Sequence, residues 1–118
     1  MRTDRGTQEA GPELTTAVTA VTSTSTRVRV TGELDVATAQ RFATALAEVI
    51  STRRPNVVID ASGLRFCDSA GLAALELVGG LAEACDGTIT VTRARPIVAR
   101  ILEFTGLDSR FLHRAPAS

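Results

Sequence analysis

Residues 60–72 read DASGLRFCDSAGL, and the rest of the chain is best understood outward from them. Before this stretch, Val57–Val58–Ile59 is a continuous apolar run that ends at Asp60. Such a run suits a strand buried on both faces, as in a parallel sheet. Ser62–Gly63 then turns the chain, and Leu64 and Phe66 read as the apolar anchors of a loop. After it, Leu72, Leu75, Val78, Ala82 and Cys85 recur at helical spacing, so a helix is expected from about Ala70 to Cys85. Asp86–Gly87 stops that helix with a turn. Strand, loop and helix together deliver Asp68–Ser69 to a helix start at the carboxyl end of a sheet, where α/β proteins place their sites.

Toward the N-terminus, Arg27 to Thr31 alternates, with Val28 and Val30 on one side and Arg27, Arg29 and Thr31 on the other. That is a strand with one buried face. Leu14 to Val21, rich in Thr, Val and Ala, reads as its hairpin partner across the turn residues Ser23–Thr24–Ser25. Gly32 is expected to break the strand, and Asp35 to cap a helix by accepting from free backbone N–H groups. From Val36 to Ile50, Ala39, Phe42, Ala43, Leu46, Val49 and Ile50 fall at helical spacing, and Arg53–Arg54–Pro55 ends the helix. Toward the C-terminus, Thr88–Thr92 is a β-branched strand. A helix starting at Pro96 buries Ile97, Val98, Ile101 and Leu102 and stops at Gly106, and Phe111–Leu112 reads as a last short strand. The order β-β-α-β-α-β-α-β implies an α/β layer with some parallel pairing. Residues 1–12, polar with Gly and Pro, read as a disordered tail, and 13–118 as one domain.

Composition narrows the function. Aromatics are 3% of the 118 residues, so an aromatic stacking platform for single-stranded nucleic acid is not expected. Thirteen basic and 13 acidic residues cancel, without the basic excess that neutralises phosphates. Cys67 and Cys85 have no metal-ligand spacing and read as two buried thiols in a reducing compartment. The N-terminus lacks the apolar core of a secretory signal, and Gly71 to Cys85, the most apolar stretch, is interrupted by Glu76 and Glu83. A cytoplasmic location, no cofactor, no metal, no direct nucleic acid and no membrane follow as expectations.

Two readings of Asp68–Ser69 stand on physical grounds. In the first, the pair only caps a helix, which contributes about 0.5–2 kcal/mol. In the second, the Ser69 hydroxyl lies near unpaired N–H groups and the positive end of the helix dipole, where a phosphate is well placed. Phosphorylation would add roughly −1.5 to −2 charge beside Asp68, enough to break a flat protein interface by repulsion and desolvation.

DASGLRFCDSAGL closely resembles the signature of STAS domains of the anti-sigma factor antagonist kind. Thr31–Gly32–Glu33–Leu34–Asp35 resembles the family's second block, before its first helix, and the two blocks have the family's separation. The resemblance covers roughly residues 14 to 113. It implies the STAS fold, a mixed sheet of four to five strands in a single layer with amphipathic helices packed on it. It also implies a function. The serine after Asp in DSAGL, here Ser69, would be phosphorylated by a kinase that is also an anti-sigma factor. Unphosphorylated antagonist would bind that kinase and free a sigma factor; a separate serine phosphatase would restore the complex. Asp35, Asp68, Ser69, Ala70 and Gly71 would lie at or near the partner surface, with Gly71 and Leu72 also structural. Asp35 reads equally well as a plain helix cap.

Two departures from the family pattern stand out. Ala70 occupies a position that often carries Ser or Thr, and the usual C-terminal helix is shortened or absent. The alternative within the family is a STAS interaction module of another signalling complex or a transporter accessory system. An enzyme is disfavoured: the single histidine, His113, is near the C-terminus, and there is no Gly-x-Ser-x-Gly elbow, P-loop or paired metal ligands.

Overall fold

The structure, a computed structural model, describes residues 14–52 and 56–112. The expected tail, the Arg53–Arg54–Pro55 helix stop and His113 lie outside the described residues. Strand β1 (Thr15–Val21) pairs antiparallel with β2 (Thr26–Leu34) as the expected hairpin, closed by the Thr22 N–H donating to the Ser25 carbonyl at 2.8 Å. Helix α1 (Ala39–Thr52) leads to β3 (Asn56–Cys67), which lies parallel to β2. Helix α2 (Ser69–Ala84) leads to β4 (Thr88–Thr92), parallel to β3, followed by α3 (Pro96–Phe104) and the single turn α4 (Asp108–Phe111). The result is a mixed four-stranded sheet in the order β1-β2-β3-β4. The expected last strand is reduced to one residue: Phe111 closes α4, and Leu112 makes a single parallel bridge to Val91.

Alternation decides which face is covered. Val28, Val30, Val57, Ile59, Ile89 and Val91 point to one face and are buried there with Phe42, Leu46, Leu75, Val78, Val98 and Leu102 from three helices. The opposite face carries the exposed Arg27 and Arg29 and the half-buried Val58 and Thr90, and among the described residues no helix covers it. β3 is therefore buried on one face, not on both. Parallel sheets are ordinarily covered by helices on both faces. Here both crossovers, through α1 and α2, lie on the same side.

Two expected breaks are bends instead. β2 continues through Gly32, whose φ of 116° absorbs a shift in register, and ends at Leu34. The expected loop after Asp60 is strand: β3 runs on to Cys67 because Gly63, Leu64, Phe66 and Cys67 pair with Thr31, Gly32, Glu33 and Leu34. Leu64 is buried as anticipated, whereas Phe66 is 39% exposed. On α2 the buried stripe is Gly71, Ala74, Leu75, Val78, Gly79 and Ala82. Leu72 is only half-buried, and Cys85 is exposed just past the helix end, so one thiol is buried and not two. α1 begins at Ala39, after a turn over residues 35–38.

Candidate functional site

The two sequence blocks meet at one corner of the fold. β2 and β3 end side by side, with Leu34 opposite Cys67. The chain then turns at Asp68, whose N–H donates to the Leu34 carbonyl at 3.1 Å. Asp68 is the N-cap of α2: its Oδ1 accepts from the Gly71 N–H at 2.9 Å, and its carbonyl accepts from the Leu72 N–H at 2.9 Å. This satisfies a donor of the first turn that has no partner within the helix. Gly71 is needed for a different reason. A Cβ there would sit 2.6 Å from the Leu34 carbonyl oxygen, 2.8 Å from Leu34 Cγ and 2.9 Å from Cys67 Sγ. The start of α2 is thus pressed directly onto the end of β2.

Ser69 is the first residue of α2 and is exposed. Among the described residues nothing hydrogen-bonds its hydroxyl. Ala70 beside it is half-buried. Asp35 is occupied with its own turn: its Oδ1 accepts from the Ala37 and Thr38 N–H groups at 3.0 and 3.2 Å. Thr38 Oγ1 locks that turn by accepting from the Asp35 N–H at 3.0 Å and donating to the Glu33 carbonyl at 2.8 Å. Asp35 therefore caps the 35–38 turn that leads into α1 and not the helix itself, and it stands one residue from the Leu34 that receives Asp68. The structure brings Asp35, Asp68, Ser69, Ala70 and Gly71 to one corner, with Ser69 as the group most open to solvent.

Sequence reasoning missed an exposed apolar face on α2. Ala70, Ala73, Leu77 and Leu81 share one face of α2, and Leu77 and Leu81 are 66% and 38% exposed. Val36, 79% exposed, follows Asp35, and the half-open Phe66 precedes the cap. The available signal was that Leu77 and Leu81 fall outside the buried stripe of Leu75 and Val78. Exposed apolar side chains on a helix face suit contact with a protein partner.

The chemistry of the neighbouring groups is quiet. Burial, and secondarily the Asp68 carboxylate, push the Cys67 thiol up to about 12, so it stays protonated. No group of three metal-ligating side chains is found among the described residues, and no described helix is long and apolar enough to cross a membrane.

A family model described as "Mlab, STAS domain" matches residues 17–113. The chain belongs to the STAS domain family. Among solved structures it is similar to an anti-sigma factor antagonist from Mycobacterium paratuberculosis, with 30% identity, 88% of each chain covered and a TM-score of 0.74. The anti-sigma factor antagonist SpoIIAA in its unphosphorylated form matches at 19% identity, covering 86% of this chain and 90% of that one, with a TM-score of 0.71. A third likeness is the murine Solute Carrier 26 family member A9 anion transporter, at 15% identity and a TM-score of 0.66; it covers 86% of this chain but 20% of the transporter. The last two likenesses concern the fold alone. No curated protein matches the chain.

Proposed function

We propose that this protein is a cytoplasmic anti-sigma factor antagonist that binds a serine-kinase anti-sigma factor, and that phosphorylation of Ser69 switches the binding off. The observation that carries the reading is the exposed Ser69 hydroxyl on the first residue of α2, at the corner where β2 and β3 end, with the exposed apolar side chains of Val36 and Phe66 following Asp35 and preceding the cap. The 30% identity to an anti-sigma factor antagonist over most of both chains supports it. So does the relation to SpoIIAA, which exists in unphosphorylated and phosphorylated forms.

The mechanism follows from local charge. Unphosphorylated, the corner presents a small hydroxyl and apolar side chains that a partner can desolvate at little cost. Phosphorylation places roughly −1.5 to −2 charge next to Asp68, whose carboxylate already occupies the Gly71 N–H. Burying two adjacent anions against a partner is far more costly than burying a serine. A serine phosphatase acting on phospho-Ser69 would restore the first state.

A second reading, a STAS module serving a transporter system, draws on the likeness in fold to a sulfate transporter family protein from Wolinella succinogenes and to the Solute Carrier 26 family member A9 anion transporter. The test is phosphopeptide mapping of the protein from cells in several growth conditions, joined to binding assays with the kinase. Ser69→Ala should bind constitutively and Ser69→Glu at least about tenfold more weakly, a loss of about 1.4 kcal/mol. Equal binding by both variants and by wild type would refute the switch. Absence of phosphate under every condition would favour the transporter reading.

A further inference from the structure

The face of β2, β3 and β4 that no described helix covers is patterned in charge. Register arranges it in rows: Arg27, Val58 and Thr90 lie side by side, and Arg29, Asp60 and Thr92 form the next row. Arg93 follows Thr92, and its guanidinium meets that of Arg29 over Asp60. Three guanidinium groups thus share one carboxylate. That carboxylate is sunk in the sheet, its side chain 6% exposed, while those of Arg29 and Arg93 are 54% and 65% exposed. Asp60 approaches each arginine at Nε from 3.7 Å, beyond hydrogen-bond range. It holds the two groups near it and leaves their N–H donors without an acceptor among the described residues. Arg27 has no side-chain partner at all among those residues. Arg93 also adopts a φ of 60°, a left-handed conformation that an asparagine or glycine takes more easily. The next acid along this face of β2 is Glu33, four residues beyond Arg29. A groove of about 250 Å³ lies on these rows, lined by Arg27, Val58, Thr90 and Thr92.

We infer that an acidic helix of a partner protein docks on this face, its carboxylates pairing with Arg27, Arg29 and Arg93 and its apolar side resting on Val58. Two arguments choose that occupant. The first is architecture: helices ordinarily cover both faces of parallel strands, and here the second layer is missing among the described residues. The second is charge. Carboxylates supply the acceptors that these guanidinium groups lack, and they can pair with them through two parallel hydrogen bonds. A second copy of this chain would set arginine against arginine if like faces met. Nucleic acid fits less well, because 13 basic and 13 acidic residues leave the chain no basic excess. Ser69 begins α2, which packs on the other face of the sheet, so the inference stands apart from the antagonist reading.

Nuclear magnetic resonance titration of the isotope-labelled full chain with a synthetic acidic helix tests it. The probe is a peptide of about 18 residues, long enough to hold a helix in water, with a stripe of Leu and Ala flanked by Glu. Its control carries Gln at every Glu. Amide shifts are expected at Arg27, Arg29, Val58, Thr90 and Thr92. Arg27→Glu should weaken binding at least about tenfold, and so should the Gln control. Arg93→Asn, which suits the left-handed backbone, should also weaken it, and unfolding curves would establish that both variants fold. Ser69→Glu should leave the affinity unchanged. No binding at low salt, equal affinity for the Gln control, or shifts confined to α1 or α2 would overturn the inference. So would loss of binding in Ser69→Glu, which would place the peptide at the start of α2. Displacement of the peptide by an equal concentration of inorganic phosphate would assign the face to small anions instead. Tighter binding of duplex DNA than of the peptide would assign it to nucleic acid, and either result also overturns the proposal.

Discussion

Gly71 and Asp60 show two ways in which a single residue holds this fold. At Gly71 the constraint is space. The nearest obstacle to a side chain is a backbone carbonyl, which cannot swing away as the end of a flexible side chain could. Gly71→Ala should therefore destabilise the protein by about 1–3 kcal/mol in urea unfolding, although alanine is the better helix former. An unchanged midpoint would mean that α2 can slide off Leu34. At Asp60 the constraint is charge. Its carboxylate is buried at the centre of the sheet's uncovered face, 3.7 Å from the guanidinium groups of Arg29 and Arg93. Burial alone would raise its pKa. Hydrogen bonding by Ser62 outweighs this, with help from Arg93 and then Arg29, and the net shift is downward. A carboxyl depressed in the folded state contributes stability above its unfolded pKa of about 3.9, and that contribution is lost as pH falls through the lower folded value. Wild type should lose stability along this acid limb, and Asp60→Asn should lose less over the same range. Parallel acid limbs would remove Asp60 from the account. Sequence alone placed Asp60 at a strand end and not in this cluster, because its two arginine partners, Arg29 on β2 and Arg93 just past β4, are far from it along the chain.

At the scale of elements, the α2 helix was read correctly as a helix, but only part of its apolar side chains serve the core. Leu75 is 5% exposed and lies in the apolar interior with Phe42, Ile59 and Leu102. Leu75→Ala should cost about 2–5 kcal/mol of unfolding free energy. Leu72→Ala, at a half-buried position, should cost clearly less, and Leu77→Ala should stay within about 0.5 kcal/mol of wild type. A reversed order would mean that the helix is rotated about its axis. The extension of β3 past Asp60 was not legible for a related reason. Ser62 and Gly63 are turn residues by local preference, and Gly63 is tolerated in the strand because it lies against Thr31: a Cβ there would come within 2.8 Å of Thr31 Oγ1. Pairing with β2 overrode local propensity.

For the molecule as a whole, one-sided packing separates the two cysteines. Cys67 lines the apolar interior between the sheet and three helices, and Cys85 lies exposed beyond α2. Under native conditions a thiol reagent should label one cysteine quickly. Labelling of Cys67 should need opening of the core, and its rate should rise with denaturant as the global unfolding equilibrium does. Rapid labelling of both thiols in the native protein would show that the packing between α2 and the ends of β2 and β3 is looser than described. The same one-sided layering leaves the arginine-bearing sheet face without a helix over it among the described residues.

What the sequence determined by itself was the order of elements, the hairpin, the buried faces of α1 and β2, and the corner that carries Asp35, Asp68 and Ser69. These depend on local periodicity and on capping chemistry within a few residues, both visible in one dimension. Tertiary structure alone decided that both crossovers fall on one face, that β3 runs through its apparent turn, that Gly71 is jammed against Leu34, and that Leu77 faces solvent. Each of these depends on which distant strand or helix lies alongside, and that is set by packing among segments far apart in the chain.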